Sequence, residues 1–145
     1  SYILRSMTID YALAGLRLGY ANGDEHIIQA LATVRPAWNV NSLAQAAGLA
    51  ALADEDYYQA TLAHLQEERD FLLRGLVALD YQPIPSQTHF FLLPVKDAAG
   101  FRQTLLPHGI LVRDCTSFGL PEYIRISTRT RVQNQRLLNC LQISG

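Results

Sequence analysis

Residues 5–20 are the stretch on which the interpretation of this chain depends, and they read Arg5-Ser-Met-Thr-Ile-Asp-Tyr-Ala-Leu-Ala-Gly-Leu-Arg-Leu-Gly-Tyr20. Ser6 and Thr8 are alternate residues, so in an extended segment both hydroxyls project to one side. Arg17 adds a planar guanidinium that suits a phosphate dianion. Together the three residues indicate a phosphate-binding segment. Taken alone, the segment favours a plainer alternative, in which the hydroxyls cap a turn and Arg17 forms a surface ion pair.

The residues around this segment predict short elements with clear limits. Residues 1–8 predict a short buried strand, and residues 11–22 predict a tight turn that leads into another strand. Asp24 is a candidate N-cap for a helix over residues 25–34. That helix should end at Arg35 and Pro36, because proline lacks the backbone N–H and restrains the residue before it.

Two further helices are predicted in the middle of the chain. The first starts at Asn41 and Ser42 and carries small apolar residues at helical spacing. The second starts at Asp54 and reaches about residue 79, with leucines along one face. Its charged run over residues 66–70 predicts the solvent-facing side of the helix.

The remainder of the chain alternates between helices and strands, which predicts an α/β protein, more narrowly a small α+β domain. Strands are expected over residues 88–93, 110–113 and 123–127, and helices over residues 97–107 and 131–142. The helices should pack on a small, mostly antiparallel sheet. We expect residues 35–145 to form this C-terminal small domain and residues 1–34 to be the trailing part of a larger domain.

Composition excludes several classes of function. The 145 residues are 49% hydrophobic and 17% charged, and the net charge of -1 gives no field that would attract nucleic acid. No apolar run reaches the length of a membrane span and no secretory signal is visible, so a cytoplasmic protein without membrane or nucleic-acid partners is expected. Cys115 and Cys140 predict reduced core thiols. The four histidines have no metal-ligand spacing, and no metal is expected.

Arg125 and Arg113 are candidate substrate-binding residues. Arg125 alternates with apolar neighbours in a predicted strand, and burying its charge is costly unless it meets an anion. A salt bridge with Asp114 or Glu122 is the alternative for Arg125. Arg113 lies nearby in sequence and would suit a substrate with a second anionic group, although an exposed loop arginine explains it equally well.

Four blocks of sequence, in order, resemble one family of enzymes. Beside residues 5–20 these blocks are residues 35–50, residues 85–93 and residues 111–127, the last containing Tyr-Ile-Arg-Ile-Ser around Arg125. The chain resembles the C-terminal portion of a fold-type-I pyridoxal-phosphate enzyme, in the group of histidinol-phosphate aminotransferases and threonine-phosphate decarboxylases. This group contains transferases and lyases of histidine and cobalamin biosynthesis. The opening stretch, residues 4–8, and the three later blocks resemble the decarboxylase branch slightly more than the aminotransferase branch.

The resemblance implies a role for each residue of the first block. Ser6, Thr8 and Arg17 match positions that hold the phosphate of pyridoxal 5'-phosphate in the family. Ile9 stands where the family has the lysine that forms the Schiff base with the cofactor. An isoleucine has no amine, so no catalytic residue is assigned to this chain. Lys96 is the single lysine of the sequence, and its setting predicts a solvated surface charge.

The resemblance also implies what the chain binds and what it lacks. Arg125 would grip the substrate α-carboxylate, Arg113 would assist, and the substrate would be a phosphorylated amino acid or amino alcohol. The family's cofactor-stacking and ring-binding residues precede residue 1, so the chain alone should be inactive and should not bind the cofactor covalently. Relatives are dimers with shared active sites, so the resemblance implies a homo-oligomer. A non-catalytic module that binds anions or associates with itself is the alternative, and an artefactual Ile9 or N-terminus is a third reading.

Overall fold

The computed structural model describes residues 1–144, with the backbone alone for Ile9, Asp10 and Ser144. The chain divides into two compact units. The first unit is Ser1–Thr61, and the second begins at Leu62. Within the described residues no helix is long and apolar enough to cross a membrane. The domain boundary expected between residues 34 and 35 stays a prediction.

The first unit opens with a hairpin of two antiparallel strands, β1 (Tyr2–Ser6) and β2 (Gly19–Gly23). The pairing places Ser6 opposite Gly19. A side chain could not replace the hydrogen at Gly19, because a Cβ atom there would lie 2.7 Å from the Arg5 carbonyl oxygen. Helix α1 (Met7–Asp10) and a 3₁₀ turn (Ala14–Leu16) connect the two strands. The predicted strand, turn and strand are therefore confirmed.

Three helices follow the hairpin, and each begins where the sequence predicts a helix start. Helix α2 is Glu25–Val34, α3 is Ser42–Ala53 and α4 is Glu55–Ala78. The Asp24 carboxylate accepts from the His26 N–H at 3.0 Å, and the Asn41 amide oxygen accepts from the Ala44 N–H at 2.8 Å. Asp54 accepts from the Tyr57 N–H at 3.2 Å. Such side chains satisfy backbone donors that a helix leaves free at its start.

The first unit buries little of its apolar surface. Of the residues in this unit whose burial the structure describes, three are buried, namely Met7, Ala44 and Gly48. The prediction of a buried strand over residues 1–8 is wrong on burial, because every residue of β1 is exposed. The strand forms through backbone pairing with β2, and no described element packs over its apolar side chains.

The second unit is built on a three-stranded antiparallel sheet in the order β3, β5, β4. These strands are β3 (Phe90–Pro94), β4 (Arg113–Asp114) and β5 (Tyr123–Ser127). Helices α5 (Ala98–Leu105) and α6 (Arg131–Ser144) complete the unit with the C-terminal part of α4. Thirteen buried apolar residues form its core, among them Leu72, Phe91 and Ile124. Helices packed on a small antiparallel sheet confirm the expected fold class.

The sheet differs from the sequence expectation at two strands. The strand predicted over residues 88–93 begins at Phe90, because the Thr88 hydroxyl bonds the Phe90 backbone in a local turn. The strand predicted over residues 110–113 is two residues long. Gly109 adopts a left-handed conformation at φ 67°, and the Ile110 N–H donates to the Leu105 carbonyl at the helix end. Ile110 is therefore tied to α5, and the pairing with β5 begins at Arg113.

The prediction that the charged run of α4 faces solvent is wrong at Glu68. Its side chain is 4% exposed and accepts two hydrogen bonds from the Arg131 Nε atom, at 2.9 and 3.1 Å. Asn134 donates to the same carboxylate at 3.2 Å. A carboxylate is retained in the interior when it is paired and hydrogen-bonded in this way. The partners are more than 60 residues away, so periodicity in α4 could not reveal them.

Both cysteines are buried and form no disulfide, as the sequence predicts.

Candidate functional site

The hairpin of the first unit brings the two parts of the predicted phosphate-binding segment side by side. Ser6 ends β1 and Thr8 follows in α1, while Arg17 lies just before β2. The Met7 N–H donates to the Leu18 carbonyl at 3.1 Å, so the backbone between the two hydroxyls is bonded to the residue after Arg17. The hydroxyl-bearing segment and the arginine-bearing segment are therefore neighbours.

The polar groups of these segments are engaged with their own backbone. The Ser6 Oγ atom accepts from the Thr8 N–H at 3.3 Å, which is the turn-capping bond of the plainer alternative. Arg17 is exposed, has a left-handed φ of 51°, and donates from Nη1 to the Ala14 carbonyl at 3.1 Å. A left-handed backbone is uncommon for a residue with a side chain, so the turn holds Arg17 in a defined orientation. The side chain of Ile9 lies outside the part of the chain that the structure describes.

The second unit contains a cavity of about 800 Å³ with a strongly cationic wall. Five arginines and a single acidic residue, Asp114, line it. Such an excess of one charge raises the local concentration of oppositely charged ligands. The five are the two predicted residues, Arg113 and Arg125, and three that sequence reasoning missed, Arg102, Arg129 and Arg136.

Arg113 and Arg125 are directly opposite each other on neighbouring antiparallel strands. Residues in this register share one face of the sheet, where like charges repel. Arg125 lies over the Phe90 ring with its Cζ atom 5.0 Å from the centroid, and Arg113 donates to the Ser117 hydroxyl at 3.0 Å. Over the described part of the chain neither guanidinium forms an ion pair. The alternative of a salt bridge from Arg125 to a neighbouring carboxylate is therefore wrong.

Asp114, the one carboxylate of the cavity wall, is engaged with its own loop. Its Oδ1 atom accepts from the Thr116 hydroxyl at 2.6 Å and from the Thr116 N–H at 2.8 Å. These two hydrogen bonds, helped by the charges of Arg102 and Arg113, hold the pKa of Asp114 below its ordinary value of 3.8. The group is therefore ionised at neutral pH, and it neutralises one of the five positive charges.

The three missed arginines reach the cavity from different elements. Arg129 lies two residues beyond β5 and continues the alternation of Arg125 and Ser127 on the exposed face. Arg136, on α6, donates from Nη2 to the His108 carbonyl, and Arg102 belongs to the last turn of α5. The alternation could have revealed Arg129 in the sequence. Arg102 and Arg136 depend on helix packing, which the sequence does not show.

Lys96 is exposed in the loop that precedes α5, as the sequence predicts for a surface charge.

Comparison with known proteins identifies the family and the extent of the match. The sequence profile of the aminotransferase class I and II family matches residues 1–141. The histidinol-phosphate aminotransferase of Desulfotalea psychrophila is 40% identical over 139 residues, which cover 95% of this chain and 37% of that protein. The chain therefore spans well under half the length of the curated relatives it matches.

Solved structures agree with this assignment. The L-threonine-O-3-phosphate decarboxylase from Porphyromonas gingivalis matches with a TM-score of 0.88 and 30% identity, over 99% of this chain and 46% of that chain. The histidinol-phosphate aminotransferase from Sinorhizobium meliloti, solved in complex with pyridoxal-5'-phosphate, matches with a TM-score of 0.83 and 25% identity, over 99% of this chain and 42% of that chain. A match that runs through both units, in sequence and in structure, shows that the chain belongs to the aminotransferase class I and II family.

Proposed function

We propose that this chain is the C-terminal part of a pyridoxal-phosphate-dependent enzyme of the histidinol-phosphate aminotransferase and threonine-phosphate decarboxylase group. In this proposal the second unit binds a phosphorylated amino acid or amino alcohol. The observation that carries it is the pair Arg113 and Arg125, which face each other in a cationic cavity and form no ion pair with any described residue. The repulsion between them is relieved when an anion binds between them.

The first unit offers suitable donors for the phosphate of the cofactor but no amine for its aldehyde. Two hydroxyls, at Ser6 and Thr8, and the guanidinium of Arg17 are the group types that bind a phosphate dianion. Arg17 is held by its own turn, so little side-chain freedom is lost on binding. When bound, the cofactor supplies the electron sink for chemistry at the substrate Cα atom. At position 9, isoleucine provides no amine for covalent attachment, so we propose that the chain alone is not catalytic.

The roles that we assign in the cavity follow from the chemistry of its side chains. Arg125 binds the substrate carboxylate with its two-pronged guanidinium, and the Phe90 ring beneath it limits its movement. Arg113 is held toward the same face by the Ser117 hydroxyl and contributes a second positive charge. Their joint role is to bind and orient the substrate rather than to transfer a proton, because a guanidinium does not titrate near neutral pH.

A titration with O-phospho-L-threonine tests the substrate part of this proposal. We expect binding to the chain, and we expect Arg125→Gln to weaken it about tenfold or more, because a charge-assisted hydrogen bond to the carboxylate is lost. Arg74→Gln is the matched control, since Arg74 is exposed on α4 and does not line the cavity. Isothermal titration calorimetry at fixed, low ionic strength gives the affinities. Equal affinity in the Arg125→Gln and Arg74→Gln variants would contradict the assignment.

The exposed apolar residues of β1 favour a second candidate function, self-association. Tyr2, Ile3 and Leu4 are 55%, 60% and 68% exposed and adjacent, and contiguous apolar surface of this kind marks interaction sites. Under this candidate the chain is a homo-oligomer or a non-catalytic module that keeps its anion site. The cytoplasmic location expected from the sequence belongs to the same set of proposals.

A further inference from the structure

We propose that Arg129 forms a second anion subsite in the cavity and binds the phosphate group of the substrate, while Arg125 binds the carboxylate. This inference rests on the proposed function and deepens it. The ligand class is a small molecule with two separate anionic groups, as in a phosphorylated amino acid.

Positive charge is in excess on the cavity wall. Five guanidinium groups face one carboxylate, and the Asp114 carboxylate is already bonded to Thr116. A ligand with a single carboxylate would leave most of this positive charge without a counterion. A molecule with both a carboxylate and a phosphate dianion carries about three negative charges near neutral pH, which matches the excess far better.

Hydrogen bonds to a buried side chain fix the backbone of Arg129. The Arg129 N–H donates to the Asn134 amide oxygen at 3.0 Å, and the Arg129 carbonyl accepts from the Asn134 Nδ2 atom at 2.8 Å. Asn134 is 2% exposed, and its Nδ2 atom also donates to the buried Glu68 carboxylate at 3.2 Å. A fully hydrogen-bonded buried polar network of this kind rigidifies the structure around it. The backbone at Arg129, two residues beyond β5, is therefore fixed through both its N–H and its carbonyl group.

Arg129 lines the same cavity as Arg125. Arg125 and Ser127 point to one face of β5, opposite the buried Ile124 and Ile126, and Arg129 continues that row at the same cavity. Arg125 and Arg129 are four residues apart, which separates their Cα atoms by about 13 Å along an extended chain. Two long side chains that start this far apart can meet opposite ends of one small ligand. Within the described residues Arg129 forms no ion pair that would neutralise it.

A crossed titration separates the two subsites. O-phospho-L-threonine carries both anionic groups, and phosphoethanolamine carries the phosphate without a carboxylate. We expect Arg129→Gln to weaken both ligands about tenfold or more, and Arg125→Gln to weaken O-phospho-L-threonine strongly but phosphoethanolamine by less than about threefold. Arg129→Lys keeps the charge and should retain more affinity than Arg129→Gln. Arg74→Gln should resemble the unaltered chain, and circular dichroism of each variant verifies folding.

Each outcome of this titration is decisive. If Arg129→Gln binds O-phospho-L-threonine as tightly as Arg74→Gln does, while Arg125→Gln is impaired, the second subsite is refuted and the proposed function stands. If Arg125→Gln and Arg129→Gln weaken the two ligands by the same factors, the cavity has one undivided site and the inference fails. If the unaltered chain binds neither ligand, the inference falls together with the proposed function.

Discussion

The two units of this chain differ in how much apolar surface they bury. Their candidate sites differ in how many packed elements support them. The second unit has a core of thirteen buried apolar residues, whereas the described part of the first unit buries Met7, Ala44 and Gly48. The cavity of the second unit is supported by strands, helices and a buried polar network. The candidate phosphate-binding segment of the first unit is supported by a hairpin and by short-range hydrogen bonds.

This difference shows what each site depends on. Residues of the cavity come from β4, β5, α5 and α6, so their arrangement is fixed by packing. Ser6, Thr8 and Arg17 lie within twelve residues of one another, and local turns fix them. A site that is fixed by local turns can persist where little core exists. A site that is fixed by packing, such as the cavity of the second unit, should be lost with its core.

The largest expected effect comes from opening the core of the second unit. Phe91 is 2% exposed on β3, and Phe91→Ala should lower the free energy of unfolding of this unit by about 3–5 kcal/mol, because it removes buried contacts and leaves a cavity. The matched change in the first unit, Ile3→Ala, should stay within about 0.5 kcal/mol. Urea denaturation followed by circular dichroism measures both. Similar losses for the two variants would erase the contrast between the units.

A smaller effect is expected at the edge of the cavity. Thr116→Val removes the hydroxyl that donates to Asp114, so the pKa of Asp114 should rise toward its ordinary value of 3.8. The lowered pKa of Asp114 stabilises the folded state at any pH above the ordinary pKa. This contribution is lost as the pH falls through the lowered pKa. The variant should therefore lose stability at neutral pH and show less further loss in acid. NMR titration of the Asp114 carboxyl gives the pKa, and an unchanged value would show that the hydroxyl bond is not its cause.

Features set by neighbouring residues could be predicted from the sequence, and features set by distant residues could not. The caps at Asp24 and Asp54 depend on backbone groups two or three positions away, and both were predicted correctly. The burial of Glu68 depends on Arg131 and Asn134, which α6 brings from the far end of the sequence.

The same distinction applies to the candidate site. Strand alternation predicted Arg125, and the antiparallel register then placed Arg113 opposite it. Arg136 and Arg102 reach the cavity through the packing of two helices, for which no short motif exists. The exposure of β1 was missed because its apolar composition is typical of a buried strand, and the sequence does not state what covers it.

The central claim is that this chain keeps a phosphate-binding segment and lacks the amine that would attach the cofactor. The most direct test compares the unaltered chain with Ile9→Lys after incubation with one equivalent of pyridoxal phosphate and reduction with borohydride. We predict that mass spectrometry finds a reduced adduct at position 9 of the variant, and that adding Arg17→Gln to the variant diminishes it. A stoichiometric adduct on Lys96 of the unaltered chain, or an adduct at position 9 that is indifferent to Arg17, would contradict the account.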